Sequence, residues 1–148
     1  MVRPANMGIY EILNSVNVQD TKAARINEIR KHGQNKTLML LIKMAFDDGL
    51  KWRLPYGTPR YTPSANFDQQ GMFYSEMRRM YLFVDLPSDQ RGANIKPMKR
   101  EQLFIDLLET LHPADAKILL AVKDKEIPKL YNHITKKFVL EALPGLLS

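Results

Sequence analysis

The chain of 148 residues contains no cysteine, so disulfides and thiolate metal sites are excluded, which fits a reducing compartment. Histidine is scarce too. His32, His112 and His133 have no metal-ligand spacing among them, and no zinc or other metal site is expected. No apolar run reaches the roughly 18–20 residues that span a bilayer. The opening Met1–Asn6 has no long apolar stretch behind it, so no signal peptide is expected and a cytoplasmic location is. The phosphate-binding GxxxxGK[ST] loop and the GxSxG elbow are both missing. Internal repeats, heptads and low-complexity tracts are missing as well. With no catalytic set assembled, the sequence reads as non-enzymatic, with no cofactor.

What the chain does have is helical periodicity. Ile9, Ile12, Leu13 and Val16 keep the spacing of a buried stripe. Asp20 is placed to cap a second helix holding Ala23, Ala24, Ile26 and Ile29, with Gly33 as its stop. Asn35 is placed to cap a third and central one, where Leu38, Leu41, Ile42 and Ala45 share a face up to Asp48-Gly49. The pattern resumes from Gln70 to Val84, breaks over Asp85–Pro97, and returns in Arg100–Leu111 and Pro113–Val122, with His112 as a cap or turn residue rather than a ligand. A last segment starts at Thr135. The expectation is one compact all-α domain, residues 1–148, of about six or seven helices, with residues 1–6 flexible.

Between them lies Lys51–Ser64, where Pro55, Pro59, Pro63 and Gly57 forbid a helix. It carries Trp52, Tyr56 and Tyr61 among Lys51, Arg53 and Arg60, which makes it an ordered loop rather than a linker. Aromatics interleaved with cations suit stacking and charge on nucleic acid; equally, Trp52 and Tyr61 can plug the bundle. Asp47-Asp48 reads as solvated surface, and Asp106 and Glu109 as partners of nearby cations. Arg78-Arg79 could extend a positive face.

Charge sharpens the functional reading. The net charge of +6 comes from 22 basic and 16 acidic residues and is spread along the chain, so a polyanionic partner is reasonable. The strongest candidate is the carboxyl-terminal turn. Lys123, Lys125, Lys129, Lys136 and Lys137 cluster about a helix start at Thr135, whose first-turn amides favour an anion. Arg53 and Arg60 come second. Asp124 and Glu126 dilute the charge, pointing to local contacts.

Several blocks resemble the α-helical N-terminal DNA-binding domain of ATP-dependent DNA ligases of T-even-type phages. They are Ile9-Tyr10-Glu11-Ile12-Leu13-Asn14-Ser15, Thr21-Lys22-Ala23-Ala24, Ala45-Phe46-Asp47-Asp48-Gly49-Leu50-Lys51-Trp52, Ile118–Val122 and Val139–Leu147 with its Pro144-Gly145-Leu146 ending. The layout is also similar to small tailed-phage proteins. The resemblance implies duplex-DNA backbone contacts without sequence preference, made here by Lys123–Lys129 and Thr135–Lys137. The family's turn glycine is replaced by Ile127-Pro128, and its nucleotidyltransferase lysine motif is absent, so nick sealing is not expected. The leading expectation is a phage-encoded, sequence-independent duplex-DNA-binding protein accessory to DNA metabolism, in the host cytoplasm or packaged in the virion. Its rival is a protein-binding module, a virion component or a factor engaging host replication, transcription or defence proteins. The Pro-rich aromatic loop and eight methionines motivate it.

Overall fold

The computed structural model describes residues 7–63 and 72–147. Eight α-helices make up most of that span: α1 (Ile9–Asn17), α2 (Lys22–Arg30), α3 (Lys36–Phe46), α4 (Met72–Glu76), α5 (Pro97–Thr110), α6 (Pro113–Lys123), α7 (Ile127–Leu130) and α8 (Lys136–Ala142). The all-α bundle is as expected. The expected flexible residues 1–6 and the start of the Gln70–Val84 segment lie outside the described residues.

Local chemistry places the helix starts. Thr21 rather than Asp20 caps α2, its hydroxyl accepting from the Ala24 amide at 3.1 Å. Asn35 accepts from the Leu38 amide at 3.0 Å, and Thr135 from the Phe138 amide at 3.2 Å. His112 is a cap: Nδ1 accepts from the Ala114 amide at 3.1 Å, with Pro113 opening α6. The stripes then turn inward. Ile9, Ile12, Leu13 and Val16 of α1 join Leu38, Leu41 and Ile42 of α3 and Ile118, Leu119 and Val122 of α6 in one core. Helix α6 is buried along nearly its whole length, against α1, α3 and α5.

The Gln70–Val84 expectation needs correction. Helix α4 tightens into a 3₁₀ helix over Met77–Leu82, and Val84 leaves it for a strand. Strands β1 (Lys51–Trp52) and β2 (Val84–Asp85) pair antiparallel, Lys51 opposite Asp85 and Trp52 opposite Val84. Phe73, Met77, Met80 and Val84 are nonetheless buried, so the spacing gave the right inward face but not the pitch.

This corner is closed by backbone contact. Arg100 of α5 is buried and donates to Leu82 O at 2.9 Å and Gly92 O at 2.8 Å. Phe83 stands edge-on to Phe104 with ring centroids 5.3 Å apart.

Candidate nucleic-acid interface

The carboxyl-terminal turn follows from how α6 ends. Asp124 is its C-cap, Lys125 takes the left-handed conformation at φ 59°, and two amides return to the helix: Lys125 N to Val122 O at 3.2 Å and Glu126 N to Ala121 O at 2.7 Å. This is a Schellman closure with lysine where glycine is usual. Helix α7 follows at once, a short turn not expected from the sequence.

That geometry redirects the lysines, and two of the expected contacts are corrected. Lys123 has a side chain only 2% exposed; its ammonium donates to Pro55 O (2.8 Å), Gly57 O (2.9 Å) and Asp124 Oδ1 (2.5 Å). Asp124, 7% exposed, in turn accepts from the Gly57 amide at 3.2 Å through both oxygens. Lys125 keeps an exposed stem, but its ammonium folds back to donate to Met44 O at 2.6 Å, and burial pulls its pKa below the usual lysine value. These cations hold the protein's own carbonyls, so neither is offered to a phosphate. Because glycine takes positive φ freely, Lys125→Gly is expected to change stability by no more than about 1 kcal/mol, with backbone relief offsetting the lost ammonium bonds. A loss of unfolding free energy larger than that, from urea titration, would mean the ammonium matters more than the backbone.

The loop is a strap. Arg53 extends the sheet by donating its amide to Phe83 O at 2.8 Å, and Thr62 N donates to Glu109 Oε2 at 2.7 Å. Gly57 turns at φ 104°. Trp52 is half-buried, edge-on to Phe104 at 6.4 Å, and its Nε1 donates to Met44 O at 3.4 Å. Tyr61 is also half-buried against the core. Both therefore serve as plugs. Arg53 is corrected too: its side chain is 17% exposed and its Nη2 bonds Asp85 and Gln90, each at 3.1 Å. Arg60 is exposed on the strap.

The other expected contacts remain at the surface. Lys129 meets Glu126 at 3.0 Å, and Glu126 also accepts from the Tyr56 hydroxyl; the tyrosine and then Lys129 hold that carboxyl below its usual range. Lys136 bonds Asp48 at 2.7 Å, which lowers the Asp48 pKa first through that hydrogen bond and then through the lysine charge. Such exposed pairs are weak and exchangeable. Asp47, by contrast, is not solvated surface. It is 2% exposed, and its Oδ1 accepts from the Gly49 amide at 2.9 Å. Asp106 takes Gln102 and Glu109 takes the Thr62 amide, rather than cations. Arg79 pairs with Glu76 at 3.1 Å, while Arg78 is exposed.

What sequence reading missed is a groove of about 220 Å³ between α2 and α8, where Thr135 and Lys137 face Lys22 and Arg25 beside His133. Lys137 stands exposed at the second position of α8. Lys22, at the first position of α2, reaches Glu141 across the groove. Arg25 is half-buried and donates to Gln19 O at 2.8 Å. Among the described lining residues, three cations thus face one acid. The Thr21-Lys22 start of α2 was visible in the sequence, but 113 residues separate Lys22 from Thr135 and only the fold joins them.

A family of unknown function, DUF6433, matches residues 12–129, most of the chain, from within α1 to within α7. The chain belongs to DUF6433. No curated protein and no solved structure matches it. The family match stops short of Thr135 and α8, so the part of the groove built by α8 lies beyond the matched stretch. Among the described residues no helix is long and apolar enough to cross a membrane, and no three His, Asp or Glu side chains gather as metal ligands.

Proposed function

We propose that this DUF6433 protein is a non-enzymatic, sequence-independent duplex-DNA-binding protein, phage-encoded and accessory to DNA metabolism, acting in the host cytoplasm. The observation that carries the reading is the α2–α8 groove, where Lys22 and Lys137 stand on the first turns of two helices beside half-buried Arg25, with Glu141 the one acid among its described lining residues. Such a surface meets phosphate by charge and reads no base edge, which is why affinity would be indifferent to sequence. Lys129, Lys136 and Arg60 are exposed cations that can exchange surface partners for phosphates. The resemblance to the ligase N-terminal domain supports the same reading, with the contact moved from the Lys123–Lys129 turn to the groove.

The test is a pair of substitutions, Lys22→Gln and Lys137→Glu, made together. Glutamate in the first turn of α8 suits the positive end of the helix, so folding is retained. Affinity for random duplex is expected to fall about tenfold or more, and the slope of log affinity against log salt to shrink by about 1–2, since each neutralised phosphate contributes about 0.9. Unchanged binding with an intact fold would remove the groove from the interface.

A protein partner is the second reading, carried by Tyr56. It is 73% exposed on a strap that Lys123 and Asp124 hold rigid. An ordered, exposed aromatic suits an interface anchor. Stoichiometric capture of a partner after nuclease treatment, lost in Tyr56→Ala, would favour it over DNA.

A further inference from the structure

Asp115, in the first turn of α6, is completely buried, and among the described residues neither carboxyl oxygen finds a hydrogen-bond partner. Buried polar atoms are almost always paired, so an unpaired carboxyl in a core asks for a reason. Among the described residues, the charged and titratable groups around it give no cation to pair with. From α1 it faces the Glu11 carboxylate, which adds like charge, and the Tyr10 amide, which favours the anion without reaching hydrogen-bond geometry. Tyr74 of α4 and Tyr131, beyond α7, bring phenols rather than cations; burial first raises the pKa of both, and the Asp115 charge adds to it. On its own element His112 caps α6 and stacks on Tyr10 with ring centroids 4.8 Å apart. Burial first, and then Glu11, push the Asp115 carboxyl up to about 7.

We propose that Asp115 is a proton-operated latch at the joint of α1, α6 and the Tyr131–Thr135 connector, closed when the carboxyl is neutral and strained when it ionises. The connector is the short segment between α7 and α8. It hangs on buried Tyr131 and Ile134 and on Asn17, whose side chain donates to Asn132 Oδ1 at 3.3 Å and accepts from the His133 amide at 2.9 Å. Opening the joint lets water reach the carboxylate, a relief that the closed core does not give the anion. The same connector leads into Thr135 and the start of α8. Even so, the latch does not rest on the DNA reading, because its readouts are folding and titration.

The sign follows from linkage. A carboxyl raised from 3.8 to about 7 leaves the closed state holding a proton that the open state has lost. Its stabilisation is full below the unfolded value and is lost as pH rises to the folded one. For wild type relative to Asp115→Asn, the unfolding constant from urea titrations should rise about fiftyfold from pH 5 to 7. It should then rise only about twofold more by pH 9, because the closed state is by then ionised as well. The carboxamide of the variant cannot ionise, so taking the ratio cancels the other carboxylates. In wild type alone, the carboxyl ¹³C signal of Asp115 should titrate near neutrality, and amide signals of residues 131–135 should move with the same midpoint. A midpoint near 4, or a wild-type to variant ratio that does not change with pH, would overturn the latch. The carbon titration needs no variant, so a failed Asp115→Asn fold would not shield the proposal.

Discussion

Lys123→Ala should lower the stability of the domain by about 3–5 kcal/mol and release the strap over residues 53–63. The cause is desolvation without compensation: a buried ion pair adds little over an apolar pair, but losing one member leaves the other charge stranded. Here the stranded group is Asp124, 7% exposed, and three polar neighbours lose their shared donor or its support: Pro55 O, Gly57 O and the Gly57 amide. Lys123 is 2% exposed, so solvent screening relieves little of this. Two readouts separate the cause from general damage. Urea denaturation gives the stability, and limited proteolysis should show cleavage within the strap before the helices. Replacing both members, Lys123→Met with Asp124→Asn, should cost less than Lys123→Ala alone. A single variant as stable as wild type would mean that the pair is decorative and that the turn can face outward after all.

Gly92→Ala is the other large effect, at about 3 kcal/mol or more. A Cβ at this position would lie 2.2 Å from Tyr81 O and 3.0 Å from Leu82 Cα, and both are backbone atoms with no rotamer to escape through. The chain must shift, and the shift cannot stay local because Arg100 bonds Gly92 O and Leu82 O together. Overpacking alone costs about 1–3 kcal/mol. A buried guanidinium that loses a carbonyl adds a penalty of similar size. Thermal unfolding of Gly92→Ala beside Gly33→Ala gives the comparison. Gly33 meets only Arg30 O at 3.3 Å and should tolerate the methyl far better. Equal losses at the two sites would show that the close approach at Gly92 is not what closes this corner.

The helices were legible because their signals are local. Stripes at helical spacing on α1, α3 and α6, and caps at Asn35, His112 and Thr135, need only neighbours in sequence. Asp20 and Thr21 compete for one cap, and the threonine takes it, a difference of one residue that spacing does not resolve. The 3₁₀ helix over Met77–Leu82 was not legible because its end is held from α5, where Arg100 donates to Leu82 O. The site was harder. A lysine-rich turn after a helix looks identical whether its ammonium groups face water or cap the carbonyls of a loop 66–68 residues away. The basic turn was therefore visible and its direction was not. The α2–α8 groove has the opposite history: each half is an ordinary helix start, and only packing puts Lys22 and Arg25 opposite Thr135 and Lys137.

The central claim is that an exposed cationic groove between α2 and α8 binds phosphate backbone without reading sequence. It is tested most directly by titrating the unmodified protein with two unrelated duplexes at 50 and 200 mM salt, beside a duplex RNA control. The account predicts equal affinity for both DNA sequences, and a loss of about tenfold or more over that range if a few phosphates are neutralised. Binding confined to one sequence, binding unmoved by salt, or no binding to DNA even at the lower salt would contradict it.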